Sequence, residues 1–109
     1  MFMGIERRVC KRFPVILVAE VTELPAGIPR SGRTSDISET GCFVDSLHPL
    51  PTASQIRLRL TRGNESFEAP ATVVYSPKLG MGIRFEEPIP PKPLAVLHKW
   101  IDAFKEQVA

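Results

Sequence analysis

Apolar and polar residues alternate along much of the chain, with the two-residue period of a β-strand that buries one face. The clearest alternation spans residues 55–61, where Ile56, Leu58 and Leu60 are predicted to point inward and the arginines between them outward. Residues 67–75 alternate again after a hairpin turn. Four further stretches complete a set of six predicted strands, at residues 13–19, 30–37, 42–44 and 81–85.

Residues 13–19 differ from the other predicted strands, because their apolar run is nearly continuous. Such a run, rich in β-branched residues, predicts a strand that is covered on both faces. Pro14 then belongs at the start of the strand or on an edge, since proline cannot donate a hydrogen bond to a strand ladder. For the same reason, Pro70 predicts an edge or a bulge within the strand at residues 67–75.

The spacing of the apolar residues changes after a proline-rich connector at residues 87–93. A three-to-four spacing from there onward predicts an amphipathic helix over residues 92–107, with a proline in its first turn. Its apolar stripe must be buried, either on the open end of a barrel or against a partner subunit. The stripe consists of Leu94, Leu97, Trp100, Ile101, Phe104 and Val108.

Length and composition agree with one mainly all-β domain. The chain has 109 residues, enough for a single modest core, and its 43% hydrophobic and 24% charged residues exclude wholesale disorder. Short strands with turns at near-regular spacing predict a sheet that closes on itself, because closure removes exposed edges. We therefore expect one domain over residues 1–109, with a flexible arm at 1–12, a six-stranded antiparallel β-barrel at 13–86 and a C-terminal α-helix at 92–107.

The longest clear apolar run, at residues 15–19, is far too short to cross a membrane. The apolar residues 1–5 are too few for a signal-peptide core, and no basic residue precedes them. We therefore expect a cytoplasmic protein with no membrane partner. In that compartment, Cys10 and Cys42 are expected to be reduced thiols.

Basic residues are concentrated near the N-terminus. Four of the fourteen Lys and Arg residues lie within residues 7–12, although the net charge of the chain is only +2. This local concentration favours a small anionic ligand over a nucleic acid polymer, which needs a larger basic face. A barrel that binds single-stranded nucleic acid would also need aromatic residues interleaved with a basic groove, and most of the six Phe residues fit the apolar faces of strands or the helix.

The basic run at residues 7–12 is the first of two stretches with candidate chemistry. Arg8 and Arg12 lie four residues apart on a segment with no strand or helix pattern, so their reach can adapt to a ligand. An arginine fork can bond bidentately to O6 and N7 of guanine or to a phosphate. A lysine would be a poorer substitute, because it lacks the planar fork.

The second stretch is Asp-Ile-Ser-Glu-Thr-Gly at residues 36–41. Asp36 can accept hydrogen bonds from the N1 and N2 donors of guanine, a pairing that an adenine edge cannot reproduce. Ser38, on the same face if the extended geometry persists, would contact a phosphate or a ring edge, and Gly41 would allow close approach of the backbone. Together, the two stretches suit a guanine-containing phosphodiester.

The order of these motifs resembles the PilZ domain, the bacterial receptor module for cyclic di-GMP. An Arg-Arg-x-x-x-Arg arm precedes a strand pair and Asp-x-Ser-x-x-Gly, and both the Gly-Ile-Arg-Phe strand at residues 82–85 and the C-terminal helix lie where that family has them. The resemblance implies a β-barrel of PilZ type whose arm wraps the ligand. It also implies a cyclic di-GMP site formed by Arg8, Arg12, Asp36, Ser38 and Gly41, and it adds Arg7, because an arginine before Arg-x-x-x-Arg resembles members that hold two intercalated ligand molecules.

We therefore expect a cyclic di-GMP receptor that orders its arm on binding and signals to a protein partner, which the sequence does not identify. The alternative is an adaptor of the same fold that binds no nucleotide and acts through protein contacts in motility or pilus machinery. We expect no catalysis, because the chain shows no nucleophile and base pattern. His48 and His98 have no partner at metal-ligand spacing, so we expect no metal, and no cofactor beyond the ligand. The protein is expected to be a monomer or a homodimer.

Overall fold

Seven β-strands and one α-helix make up the part of the chain that the computed structural model describes, residues 11–108. Glycines or prolines lie in most of the connections between these elements, as expected for a turn-rich β protein. The strands are β1 (Phe13–Pro14), β2 (Val18–Glu23), β3 (Arg30–Ile37), β4 (Gly41–Asp45), β5 (Gln55–Arg62), β6 (Glu65–Tyr75) and β7 (Gly80–Phe85), and the helix is α1 (Pro91–Val108).

Strands β2 to β7 form a closed antiparallel barrel. Their order is β3-β2-β5-β6-β7-β4, and β4 pairs back onto β3. The short strand β1 is an addition to the barrel and pairs with the end of β3, where Phe13 lies opposite Ile37. The predicted six-stranded antiparallel barrel with a C-terminal helix is therefore confirmed, with one extra strand.

The prediction of a single strand over residues 13–19, covered on both faces, is wrong. The segment contains β1 and the start of β2, and its apolar residues alternate between the core and the solvent. Ile16 and Val18 are 72% and 62% exposed, whereas Leu17 and Ala19 are buried. The reason is that an antiparallel barrel covers only its inner face, so apolar residues on the outer face remain in contact with solvent.

A buried threonine holds the short link between β1 and β2. The hydroxyl of Thr34, 1% exposed, donates to the carbonyl oxygen of Val15 at 2.7 Å and accepts from the backbone N–H of Leu17 at 2.8 Å. The backbone N–H of Thr34 donates to the carbonyl oxygen of Leu17 at 2.9 Å. Three hydrogen bonds to one residue of β3 therefore fix residues 15–17 between the two strands.

Helix α1 packs against β6 and β1 of its own chain and buries four residues of its apolar stripe. The ring of Phe104 lies 6.4 Å from that of Phe13, centroid to centroid. Glu65, at the start of β6, accepts hydrogen bonds from Lys99 Nζ at 2.6 Å and Trp100 Nε1 at 3.1 Å. The buried residues of the helix are Leu97, Trp100, Ile101 and Phe104.

Pro70 lies inside β6, opposite Arg57 of β5. Its carbonyl accepts a hydrogen bond from the backbone N–H of Glu86 at 3.0 Å, just beyond the end of β7. Because the N and C=O groups of one strand residue point to the same side, the nitrogen of Pro70 faces the place where β7 has ended. Pro70 therefore lies where β6 has a local free edge, beyond the end of β7. The irregularity in the β6–β7 pairing lies elsewhere, between Val73 and Tyr75.

Candidate ligand-binding site

Four of the six predicted site residues lie in the described part of the chain, namely Arg12, Asp36, Ser38 and Gly41. The other two, Arg7 and Arg8, lie outside the described residues. The four are brought to one side of the barrel by the β1–β3 and β3–β4 pairings. The strand pairings therefore bring Arg12 close to the stretch at residues 36–41, and a common ligand site stays a prediction.

Arg12 and Asp36 contact each other directly. Nη2 of Arg12 lies 2.9 Å from Oδ1 of Asp36, and the two side chains are 53% and 28% exposed. Arg12 precedes β1, in which Pro14 pairs with Asp36, so the strand pairing itself brings the charges together. An ion pair this exposed contributes at most about 1 kcal/mol to stability. A ligand can therefore replace the contact at little cost to the fold.

Ser38 shapes the turn that follows β3. The strand ends at Ile37, so Ser38 does not continue the extended face on which Asp36 lies, and its side chain is fully buried. Its Oγ accepts from the backbone N–H groups of Thr40 and Gly41, each at 3.2 Å, and its own N–H donates to the carbonyl oxygen of Gly41 at 2.8 Å. The hydroxyl oxygen thus accepts hydrogen bonds from two backbone N–H groups of its own turn. Contact of Ser38 with a ligand stays a prediction.

Gly41 is required by the close approach of two strands. It pairs with Arg84 of β7. A Cβ at this position would collide with the carbonyl oxygen of Ile83 and would lie 3.2 Å from the Cα of Arg84. The backbone of Gly41 therefore packs directly against that of β7, which any side chain would prevent. Contact of Gly41 with a ligand also stays a prediction.

Cys42, next to the glycine, is a buried free thiol. Burial, and to a lesser extent the negative charge of Asp36, raises the pKa of the Cys42 thiol to about 12, against a smaller opposing effect of Arg12. A thiol of this kind remains protonated at neutral pH and is a poor nucleophile. The other cysteine, Cys10, lies outside the described residues.

A groove of about 760 Å³ runs along the outer face of β7 and is lined by Arg12 and Gly41. This volume is within the usual range for small-molecule sites, roughly 300–1,000 Å³. The backbone N–H of Phe85 donates to the carbonyl oxygen of Thr40 at 2.9 Å, which ties the end of β7 to the turn after β3. The other polar side chains that line the groove are Thr40, Thr72, Arg84, Glu86 and Glu87.

Sequence reasoning missed Thr72 and Arg84 as residues of this groove. The alternation at residues 81–85 does place Arg84 on the outer face, because Met81, Ile83 and Phe85 point inward. Its position beside Gly41, however, depends on the pairing of β4 with β7. No local pattern indicates which strands of a barrel become neighbours.

A second groove lies on the outer face of β3 and β4, and none of the four described site residues lines it. Its apolar rim consists of Ile16, Leu47 and Leu79, which are 63–78% exposed. Its charged residues, Arg33 and Asp45, lie opposite each other in the β3–β4 pair. We therefore take the groove beside β7, which Arg12 and Gly41 line, as the candidate ligand-binding site.

Two further classes of site are not found in the part of the chain that the structure describes. Over residues 11–108, no three His, Cys, Asp or Glu residues are placed to hold a metal ion. Over the same range, no helix combines the length and apolar character of a membrane span.

Comparisons with known proteins identify the family. Residues 6–103 match the model of the PilZ domain family, whereas the curated proteins gave no match. Among solved structures, the fold is similar to the crystal structure of the PilZ domain of CeSA from a cellulose-synthesizing bacterium, with a TM-score of 0.73 and 18% sequence identity over 87% of this chain and 98% of that one. The family match spans most of the sequence, so the chain belongs to the PilZ domain family, the family of cyclic di-GMP receptor domains.

Proposed function

We propose that the protein is a cyclic di-GMP receptor that binds its ligand in the groove beside β7. The observation that carries this proposal is the contact between Arg12 and Asp36. Residues 24 positions apart in the sequence place a guanidinium fork and a carboxylate 2.9 Å from each other, and Arg12 lines the groove. A carboxylate can accept from the donors of guanine, and a guanidinium can donate to a phosphodiester in a charge-assisted hydrogen bond.

The ion pair supports both the proposed binding and the proposed selectivity. Without ligand, the Arg12 and Asp36 charges satisfy each other in partial contact with solvent. A guanine nucleotide offers each of them a better partner, because its N1 and N2 groups donate to the carboxylate and its O6, N7 or phosphate accepts from the guanidinium. Adenine presents an acceptor at N1, which a carboxylate repels. Selection against cyclic di-AMP follows from the same carboxylate.

Ligand binding has to change the state of the protein for it to act as a receptor. We propose that Arg7 and Arg8 bind the ligand together with Arg12, Ser38 and Gly41, and that the arm at residues 1–12 becomes ordered. A ligand shifts a conformational equilibrium only if it binds one state better, and arginine contacts that form only in the ordered state supply that difference. The ordered arm then presents a new surface to a protein partner in the cytoplasm, and no catalysis is involved.

Isothermal titration of the purified protein with cyclic di-GMP, with cyclic di-AMP as the control ligand, tests the proposal. Saturable binding that is selective for cyclic di-GMP is expected, and two ligand molecules per chain would support the role of Arg7. Arg12→Ala and Asp36→Asn should each weaken binding by about 10-fold to 100-fold, the effect of losing a charged hydrogen bond. Their unfolding midpoints in urea should stay close to that of the wild type, because the pair is exposed.

A matched control is available on the opposite part of the barrel. Arg59 is an exposed arginine on the outer face of β5, outside both grooves. Arg59→Ala removes the same charge and should leave the affinity unchanged. A folded wild-type protein that binds neither nucleotide would contradict the receptor function and favour the adaptor, and loss of binding in Arg59→Ala would show a non-specific charge effect.

A further inference from the structure

One cation of the groove belongs to neither sequence motif. Arg84 lies on the outer face of β7, between Gly41 of β4 and Thr72 of β6. Its neighbours along the strand, Ile83 and Phe85, point into the core, so its own side chain points outward and is exposed. It lines the groove that also contains Arg12.

Arg84 lines an open groove and is carried by a fixed strand. The groove has a volume of about 760 Å³, and the backbone of Gly41 in the neighbouring strand packs directly against that of β7. The strand that carries Arg84 is also held in place, because the backbone N–H of Phe85 donates to the carbonyl oxygen of Thr40. When a ligand binds to a fixed strand, the side chain has to be ordered but the backbone does not.

The charge of Arg84 is also available. Among residues 11–108, the cations in ion pairs are Arg12, Arg57 and Lys99, and no described carboxylate lies within ion-pair distance of Arg84. Asp36 already neutralises Arg12, whereas Glu86 and Glu87 add negative charge to the groove. A phosphate that enters the groove is therefore best bound by a nearby cation that is not already paired with a carboxylate.

We infer that Arg84 is a further ligand-binding residue, whose guanidinium donates to a phosphate of the cyclic dinucleotide. This inference rests on the proposed function and extends it. Asp36 reads the base, Arg12 exchanges its carboxylate partner for the ligand, and Arg84 holds a phosphate from the barrel without breaking any ion pair. Because every cyclic dinucleotide carries the same phosphates, Arg84 contributes to affinity and not to the choice of base.

Titration of Arg84→Ala with cyclic di-GMP and cyclic di-AMP tests this inference, with the wild type and Arg59→Ala measured in parallel. Arg84→Ala should weaken cyclic di-GMP binding by about 10-fold to 100-fold. The unfolding midpoint should not change, because the side chain is exposed and makes no described ion pair. Arg84→Lys should recover part of the affinity, since it keeps the charge but loses the bidentate fork.

Salt and base selectivity give two independent readouts. The affinity of the wild type should fall more steeply with added NaCl than that of Arg84→Ala, because screening acts on the charge that the variant lacks. The ratio of cyclic di-GMP to cyclic di-AMP affinity should be the same in both proteins where both affinities are measurable. A selective loss of cyclic di-GMP binding in Arg84→Ala would overturn the assignment to a phosphate, since it would indicate a contact with the base.

The outcomes separate this inference from the proposed function. If the wild type binds cyclic di-GMP and Arg84→Ala binds within about threefold of it, which is less than 1 kcal/mol, the role of Arg84 is wrong and the receptor function stands. If Arg12→Ala and Asp36→Asn lose binding while Arg84→Ala does not, the ligand contacts the Arg12–Asp36 pair but not the Arg84 side chain of β7. If the folded wild type does not bind at all, the receptor function and the role of Arg84 are both wrong.

Discussion

The helix-covered side of the barrel and the groove beside β7 use polar groups in opposite ways. Under the helix, the Glu65 carboxylate accepts from both Lys99 and Trp100, and the indole of Trp100 is fully buried. In the groove, Arg84 makes no ion pair with a described carboxylate, and Arg12 forms a solvent-exposed ion pair with Asp36, which lies outside the groove lining. Polar groups that are satisfied within the chain support the fold, whereas those left available are suited to a ligand. Substitutions on the two sides should therefore separate stability from binding.

The largest expected effect is on the helix side. Trp100→Ala removes the largest fully buried side chain and should lower the free energy of unfolding by about 3–5 kcal/mol. Urea unfolding followed by circular dichroism measures this loss. Trp100→Phe is the control, because it keeps an aromatic ring in the core and loses mainly the hydrogen bond to Glu65, so its cost should be smaller. An unchanged midpoint for Trp100→Ala would mean that the helix is not part of the cooperative core.

Thr34 provides a second test of a polar group that is satisfied within the chain, at the link between β1 and β2. Thr34→Val keeps the shape but leaves the N–H of Leu17 and the C=O of Val15 without the hydroxyl partner, at an expected cost of about 1–3 kcal/mol. Thr22→Val on β2 is the matched control, and its effect should stay within about 0.5 kcal/mol. Equal effects of the two substitutions in urea unfolding would show that the buried hydroxyl does not stabilise the link.

The smallest effect concerns the acid sensitivity of the helix contact. The hydrogen bonds from Lys99 and then Trp100 lower the pKa of Glu65 below its ordinary value near 4.5. A lowered pKa in the folded state gives stability that is present above pH 4.5 and is lost as the pH falls through the folded-state pKa. The unfolding midpoint should therefore fall slightly less below pH 4.5 in Glu65→Gln than in the wild type. Parallel pH profiles for the two proteins would contradict this role.

The sequence predicted the barrel strands well where alternation was regular. Ile56, Leu58 and Leu60 are fully buried, and Arg57 and Arg59 between them are exposed, as the pattern indicated. Regular alternation is informative because a barrel strand has one covered face.

Residues 13–19 were interpreted wrongly, because a continuous apolar run does not reveal that its outer face is bare. The β3–β4 pairing holds a second irregularity that the pattern did not indicate. The register shifts between Thr34 and Asp36, so that Thr34 and Ile37 are both buried although they lie three residues apart. A bulge of this kind depends on the partner strand as well as on local sequence.

The sequence indicated some of the residues that the structure brings together, and their role in binding a ligand stays a prediction. The motifs and the family resemblance indicated Arg12 and Asp36, which the structure brings into contact. They did not indicate Arg84, because its place beside Gly41 arises from strands that are distant in the sequence. Nor did they show that the Ser38 hydroxyl is bonded to its own turn.

The close approach of β4 to β7 at Gly41 has an evolutionary consequence. Because a side chain at this position would collide with the Ile83 carbonyl, the barrel needs the glycine whether or not a nucleotide ever binds. Selection for folding alone is therefore sufficient to preserve it. In a descendant that has lost its ligand, we expect Gly41 to persist while Arg12 and Asp36 drift, so that the arginine and the aspartate, and not the glycine, report whether a relative still binds.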